Sequence, residues 1–121
     1  MKKVLVADDN PTNRELVRTV LERWGYEVVE AADGMEAVEK AAAVRPDLII
    51  LDLQMPRMDG FGVIRELRGN DALAGVPVMA LTASAMSGDR ERAMLSGFTG
   101  YITKPIHLSA LQQEVERLLA A

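Results

Sequence analysis

The sequence predicts an α/β fold, a doubly wound five-stranded parallel sheet covered by helices on both faces. Three observations lead there. Short apolar runs rich in branched side chains alternate five times with stretches of helical periodicity. The connections are short, so successive strands must be joined by right-handed crossovers and run parallel. With 121 residues, 49% apolar and 26% charged, the chain has material for one core, and residues 1–121 are expected to form a single domain.

Segments 4–7, 48–51 and 76–81 show almost no polar alternation, as strands buried on both faces require. Segments 27–31 and 101–103 are more polar and suit the sheet edges. The first helix is capped by Asn10, has Pro11 at its first position, repeats Leu16, Val17, Val20, Leu21 and Trp24, and stops at Gly25. Asp33 and Glu36 resemble a capping box for a second helix that buries Ala37, Val38, Ala41 and Ala42 before Pro46. Asp59 caps a third, burying Phe61, Ile64 and Leu67 and closed by Gly69. A fourth spans 86–96 with Gly97 as its stop, and Leu108, Leu111, Val115, Leu118 and Leu119 mark a fifth.

Composition removes whole classes of chemistry. There is no cysteine and only one histidine, so disulfides, thiolate nucleophiles, iron–sulfur clusters and His-rich metal sites drop out. Net charge is −4, and no basic cluster with interleaved aromatics occurs, which argues against direct nucleic-acid binding. No uncharged apolar stretch approaches membrane-helix length, and the run after Lys3 is too short for a signal peptide, so a cytoplasmic protein is expected. Gly60-Phe61-Gly62 fails as a dinucleotide fingerprint, because Arg65 stands where the third glycine belongs. His107 has no serine or acid at a spacing that suggests a triad. The seven methionines read as packing, with Met86 and Met94 also placed to form a soft contact surface.

In a sheet of this kind ligands bind at the carboxyl ends of the strands. Reading off the residues that follow the apolar runs gives Asp8 and Asp9, then Asp52, Thr82 and Lys104. Any one of these alone is an ordinary strand terminator or surface group. Gathered at one edge they form a constellation with a physical problem. Two carboxylates about 5 Å apart at an effective dielectric near 20 repel by roughly 3 kcal/mol. Lys104 supplies one compensating charge, and an all-oxygen ligand set points to a hard cation such as Mg²⁺ for the rest. A cation and an amine beside an acid are what a phosphoryl group needs. Asp52, alone after the most apolar strand, is the candidate nucleophile, Asp8 and Asp9 suit the metal, and the Thr82 hydroxyl can bond a phosphoryl oxygen.

The segments Val-Leu-Val-Ala-Asp8-Asp9-Asn10, Leu-Ile-Ile-Leu-Asp52-Leu-Gln-Met-Pro56-x-Met-Asp59-Gly60, Ala80-Leu-Thr82-Ala83 and Tyr101-Ile-Thr-Lys104-Pro105 resemble, in order and spacing, the receiver domain of two-component response regulators. The resemblance covers essentially the whole chain. It implies a flavodoxin-like (βα)5 fold with strand order 2-1-3-4-5. It implies that Asp52 takes a phosphoryl group from a phosphohistidine on a histidine kinase or histidine phosphotransfer protein. Asp8, Asp9, Asp52 and the backbone carbonyl of Gln54 would hold Mg²⁺, with Lys104 and Thr82 assisting the transfer. Thr82 and Tyr101 would form the switch pair that changes a protein-binding surface on the fourth helix, fifth strand and fifth helix for a downstream protein target. The Lys104–Pro105 bond is usually cis in the family, and phosphoryl lifetime depends partly on the positions of Gln54 and Ser84.

On that resemblance the chain is a regulatory module of a phosphorelay, and its own phosphorylation and slow dephosphorylation are its only catalysis. Ser84, Ser87 and Gly88 should make the start of the fourth helix weak. The chain is similar to stand-alone regulators of cell division and chemotaxis, while residues 10–16 also resemble receivers fused to hybrid histidine kinases. A small phosphatase of the haloacid-dehalogenase kind is the competing enzyme reading, but that family uses Asp-x-Asp after its first strand and adds a cap. A flavodoxin-like flavin binder would need a phosphate-cradling first loop, which Asp8 and Asp9 would repel without metal.

Overall fold

The computed structural model describes residues 1–83, the backbone of residue 89 and residues 90–120. The elements are β1 (Lys3–Ala7), α1 (Pro11–Arg23), β2 (Glu27–Ala31), α2 (Gly34–Val44), β3 (Leu48–Asp52), α3 (Gly60–Arg68), β4 (Val78–Thr82), α4 (Asp89–Ser96), β5 (Gly100–Thr103) and α5 (Leu108–Ala120). All strand pairs are parallel, in the order β2-β1-β3-β4-β5. This is the fold class read from the sequence. The uninterrupted apolar runs account for it: β3 and β4 are buried at every position, whereas β2 and β5 at the edges are only partly so.

Because side chains alternate along a strand, each interior strand feeds two apolar layers. Leu5, Ala7, Ile49, Leu51, Val78 and Ala80 pack with side chains of α2, α3 and α4. Val4, Val6, Leu48, Ile50, Met79 and Leu81 pack with Val17 and Leu21 of α1 and Leu111 and Val115 of α5. The two layers fasten the sheet from both sides and fix where each strand stops.

The helix starts follow the expected chemistry. Asn10 accepts from the backbone N–H groups of Thr12 and Asn13 at 2.9 and 3.2 Å, and Asp59 accepts from that of Gly62 at 2.9 Å. Asp33 caps Glu36 N–H at 2.9 Å, but the Glu36 carboxylate pairs with Lys40 at 2.9 Å, so one half of the capping box gives way to an i,i+4 ion pair. Gly97 stops α4 at a φ of 111° as predicted; Gly69 closes α3 at −80° without entering the left-handed region.

Several expectations shift. The fourth strand begins at Val78 rather than at residue 76, because Pro77 has no N–H for the ladder and the Val76 carbonyl accepts from Arg68 at 2.8 Å. Leu16 and Leu108 are 43% and 44% exposed, and Ala42 is exposed too, so the buried stripes are narrower than the apolar patterns suggested. Met86, Ser84, Ser87 and Gly88, on which the expected start of the fourth helix rested, lie outside the described residues. The structure also adds a joint that no pattern announced. The Arg68 guanidinium donates to the carbonyls of Gly97 (3.1 and 2.7 Å), Ala74 (3.0 Å) and Val76 (2.8 Å), tying the end of α4 to the loop before β4.

Gly34 opens α2 directly under the β3–α3 loop, where an added Cβ would lie 2.0 Å from the Met58 carbonyl oxygen. Gly34→Ala is therefore expected to lower stability in urea by about 1–3 kcal/mol. Gly75→Ala, with nothing within 4 Å of the new atom, is expected to stay within about 0.5 kcal/mol of the parent.

Candidate functional site

The register of the sheet brings the acids together. Ala7 pairs with Leu51, so Asp8, the first residue beyond β1, lies level with Asp52 at the end of β3. Thr82 ends β4 opposite Thr103 of β5, and Lys104 follows directly. The Lys104 N–H donates to the Thr82 carbonyl at 2.7 Å, which extends the β4–β5 pairing by one step. Asp52 and Thr82 are thus the last residues of their strands rather than the first beyond them. Asp8 and Asp52 continue the parity of the side chains facing α1 and α5, whereas Thr82 continues the opposite parity.

The two buried carboxylates are held alike. Oδ1 of Asp8 accepts from the N–H of Asn10 at 2.9 Å, and Oδ1 of Asp52 accepts from the N–H of Gln54 at 3.0 Å. Each acid is therefore pinned by the backbone two residues on, as short acidic side chains in turns commonly are. The remaining oxygens converge. Nζ of Lys104 lies 3.0 Å from Asp52 Oδ2 and 3.2 Å from Asp8 Oδ2. Toward Asp52 the contact is a hydrogen bond; toward Asp8 it is an ion pair off the bonding direction, and Asp8 Oδ2 is a buried oxygen with no hydrogen-bond partner.

Burial is what makes this arrangement costly. Asp8, Asp52 and Thr82 are 1%, 4% and 2% exposed. Burial pushes the Asp8 carboxyl above the ordinary carboxylate range, opposed by the Asn10 N–H, reinforced by the Asp52 charge and opposed again by Lys104. For Lys104 burial works against the ammonium, but its hydrogen bond to Asp52 and the charges of both acids outweigh it and hold the amine above its usual value.

Asp9 is exposed at the rim, and carboxylate oxygens of Asp8, Asp9 and Asp52 all lie within 4.8 Å of one another. The donor set fits a hard divalent cation: three carboxylate oxygens, no nitrogen or sulfur, and one buried oxygen still lacking a hydrogen bond. Tyr101 is half-buried against the layer under α2, α3 and α4, and its N–H donates to Glu114 at 3.3 Å. The Lys104–Pro105 peptide is cis. His107 is exposed just before α5, where its carbonyl accepts from Leu111 at 3.0 Å. Arg14 had not been singled out, yet its guanidinium reaches the Asp8 carbonyl at 2.7 Å. No spacing rule connects an arginine on a first helical turn to a particular carbonyl of the preceding loop.

Residues 4–116 match the model of the response regulator receiver domain. The chain belongs to that family. Among curated relatives, the polar-differentiation response regulator DivK of Brucella anthropi is 39% identical over 118 residues, 98% of this chain and 96% of that protein. Among solved structures, the chemotaxis protein CheY4 of Vibrio cholerae is 36% identical, with a TM-score of 0.92 over 98% of this chain and 99% of that one. The receiver domain of the sensor histidine kinase PA1611 from Pseudomonas aeruginosa PAO1, which holds a magnesium ion in its active-site cleft, is also 36% identical. It has a TM-score of 0.92 over 99% of this chain and 98% of that one. A receiver domain of this family is a regulatory module of two-component signalling.

The raised Asp8 pKa gives a signed prediction. A carboxyl that titrates higher folded than unfolded lets the folded state hold the proton longer, so stability falls as pH rises through that window. Without divalent cations Asp8→Asn should therefore be more stable than the parent at pH 7. The gain should disappear below the ordinary carboxylate pKa of about 3.9, which urea titrations across that range will show.

Proposed function

We propose that this receiver domain accepts a phosphoryl group on Asp52 from a phosphohistidine of a histidine kinase or histidine phosphotransfer protein, and thereby changes which protein it binds. The observation that carries this reading is the convergence of Asp8 Oδ2 and Asp52 Oδ2 on one ammonium within 3.2 Å. It supports the reading because a carboxylate that could attack phosphorus, a second acid and an ammonium meet at one point.

In the proposed transfer a carboxylate oxygen of Asp52 forms a bond to phosphorus as the bond from phosphorus to the histidine nitrogen breaks. The nitrogen keeps the electron pair, and the ring leaves as neutral imidazole with the proton on its other nitrogen. The Lys104 ammonium has three donors, so it can bond a phosphoryl oxygen in place of one carboxylate contact. The Thr82 hydroxyl, at the end of the neighbouring strand, would bond another. Asp8, Asp9, Asp52 and the Gln54 carbonyl would hold Mg²⁺, which supplies charge stabilisation for the equatorial oxygens. The Asn10 and Gln54 N–H groups keep both buried acids aimed while this happens.

The product carries more negative charge beside Thr82 and Tyr101, the proposed switch pair. Tyr101 and Glu114 line a groove with Arg90, His107, Gln113 and Arg117 between α4, β5 and α5, and this is the surface whose partner would change. A second reading keeps the same chemistry but places the domain within a hybrid histidine kinase. It is favoured by the similarity to receivers of two histidine kinases, 36% and 38% identical. The genomic neighbourhood separates the two. Direct nucleic-acid contact is not part of either reading, and among the described residues no helix is long and apolar enough to cross a membrane.

Incubation with acetyl phosphate and Mg²⁺ should add one phosphoryl group per chain, detected as intact mass and lost on hydroxylamine treatment. Asp52→Asn should abolish it. Full labelling of that variant would reject Asp52 as acceptor, and many turnovers on small phosphate esters would favour a hydrolase instead.

A further inference from the structure

The acid pair is supported from outside the pocket by a residue to which the proposed transfer assigns no role. Asp8 is fixed at three points besides Lys104. Its N–H donates to the Ala31 carbonyl of β2 at 3.1 Å and its Oδ1 accepts from Asn10 at 2.9 Å. Its carbonyl, which lies past the end of the β1 ladder, accepts from Nη1 of Arg14 at 2.7 Å. Arg14 is itself locked: Nε donates to Glu30 Oε1 at 3.1 Å, while Glu30 Oε2 accepts from Arg18 at 2.6 Å. The Arg14 side chain is mostly buried, 19% exposed. A planar fork held on one edge by a carboxylate presents its remaining N–H groups in a fixed direction.

We propose that Arg14 is the positioning residue of the cation site. By holding the Asp8 carbonyl it sets the plane of the Asp8–Asp9 peptide, and through that plane the directions in which both carboxylates point. Groups that orient ligands from behind typically change metal affinity 10- to 100-fold when removed. This inference rests on the proposed Mg²⁺ site and deepens it.

The sign of the effect separates positioning from charge. Arg14 is a cation close to a cation site, so if only its charge mattered, neutralising it would tighten Mg²⁺ binding. If it positions the acids, neutralising it weakens binding. A role confined to holding α1 on β2 would lower apo stability and leave Mg²⁺ affinity unmoved.

The test is a Mg²⁺ titration by calorimetry of the full chain, the parent beside Arg14→Met, Arg14→Gln and Arg14→Lys, with apo stability measured in parallel. Arg14→Met and Arg14→Gln should bind Mg²⁺ about tenfold more weakly. Arg14→Lys, which keeps a single donor without the fork, should fall between them and the parent. Either neutral variant suffices if the other does not fold. Unchanged or tighter Mg²⁺ binding in the folded neutral variants overturns the proposal while leaving the cation site standing. A parent that binds no Mg²⁺ removes the site itself, and the role of Arg14 with it.

Discussion

Asp8 and Asp52 leave water at the ends of adjacent parallel strands and share the ammonium of Lys104. Neighbouring strands lie about 4.8 Å apart, and neither acid can retreat, because each continues a strand whose preceding four residues are buried. At that spacing the two charges repel by roughly 3 kcal/mol at an effective dielectric near 20. The sheet order decides where relief comes from. β5 delivers Lys104 over the end of β4, and its amine meets both acids because each has one oxygen already turned away toward a backbone N–H. The strain and its partial compensation are thus two consequences of one topology.

That balance connects the site to the rest of the molecule. Asp8 and Asp52 share the parity of the side facing α1 and α5, while Thr82 and the half-buried ring of Tyr101 belong to the side facing α2, α3 and α4. On the proposed reading, a phosphoryl group that draws Lys104 and Thr82 together acts across the sheet, from one apolar layer to the other. Two arginines hold the frame within which such a change would occur. Arg14 braces the loop after β1, and Arg68 binds the carbonyl of Gly97 at the end of α4. Both act on backbone carbonyls, so both fix main-chain position rather than side-chain charge.

The sheet and the acid cluster were legible in the sequence because they rest on short-range rules. Buried parallel strands read as unbroken apolar runs, and the residues ending them fall at one edge whatever the loops do. The departures have local causes: Pro77 cannot join the ladder, so β4 starts at Val78, and Glu36 prefers Lys40 to completing its capping box. Arg14 and Arg68 were not legible. An arginine that donates to a carbonyl 6 to 29 residues away obeys no periodicity, and its partner is chosen only when the chain has folded. The alternating pattern located the acids and the lysine, but the oxygen-by-oxygen division, one to a backbone N–H and one to Lys104, is decided only in the folded chain.

Lys104 offsets the repulsion between two specific carboxylates, and a double-mutant cycle measures that coupling directly. Stability in urea without divalent cations would be compared for the parent, Lys104→Met, Asp8→Asn and the double variant. Losing the amine is expected to cost about 1–3 kcal/mol more when Asp8 is ionised than when it is replaced by asparagine, within the range of couplings between contacting residues. Losses that add to within about 0.5 kcal/mol would mean that the amine and the acid stand side by side without acting on one another, and would contradict that offset.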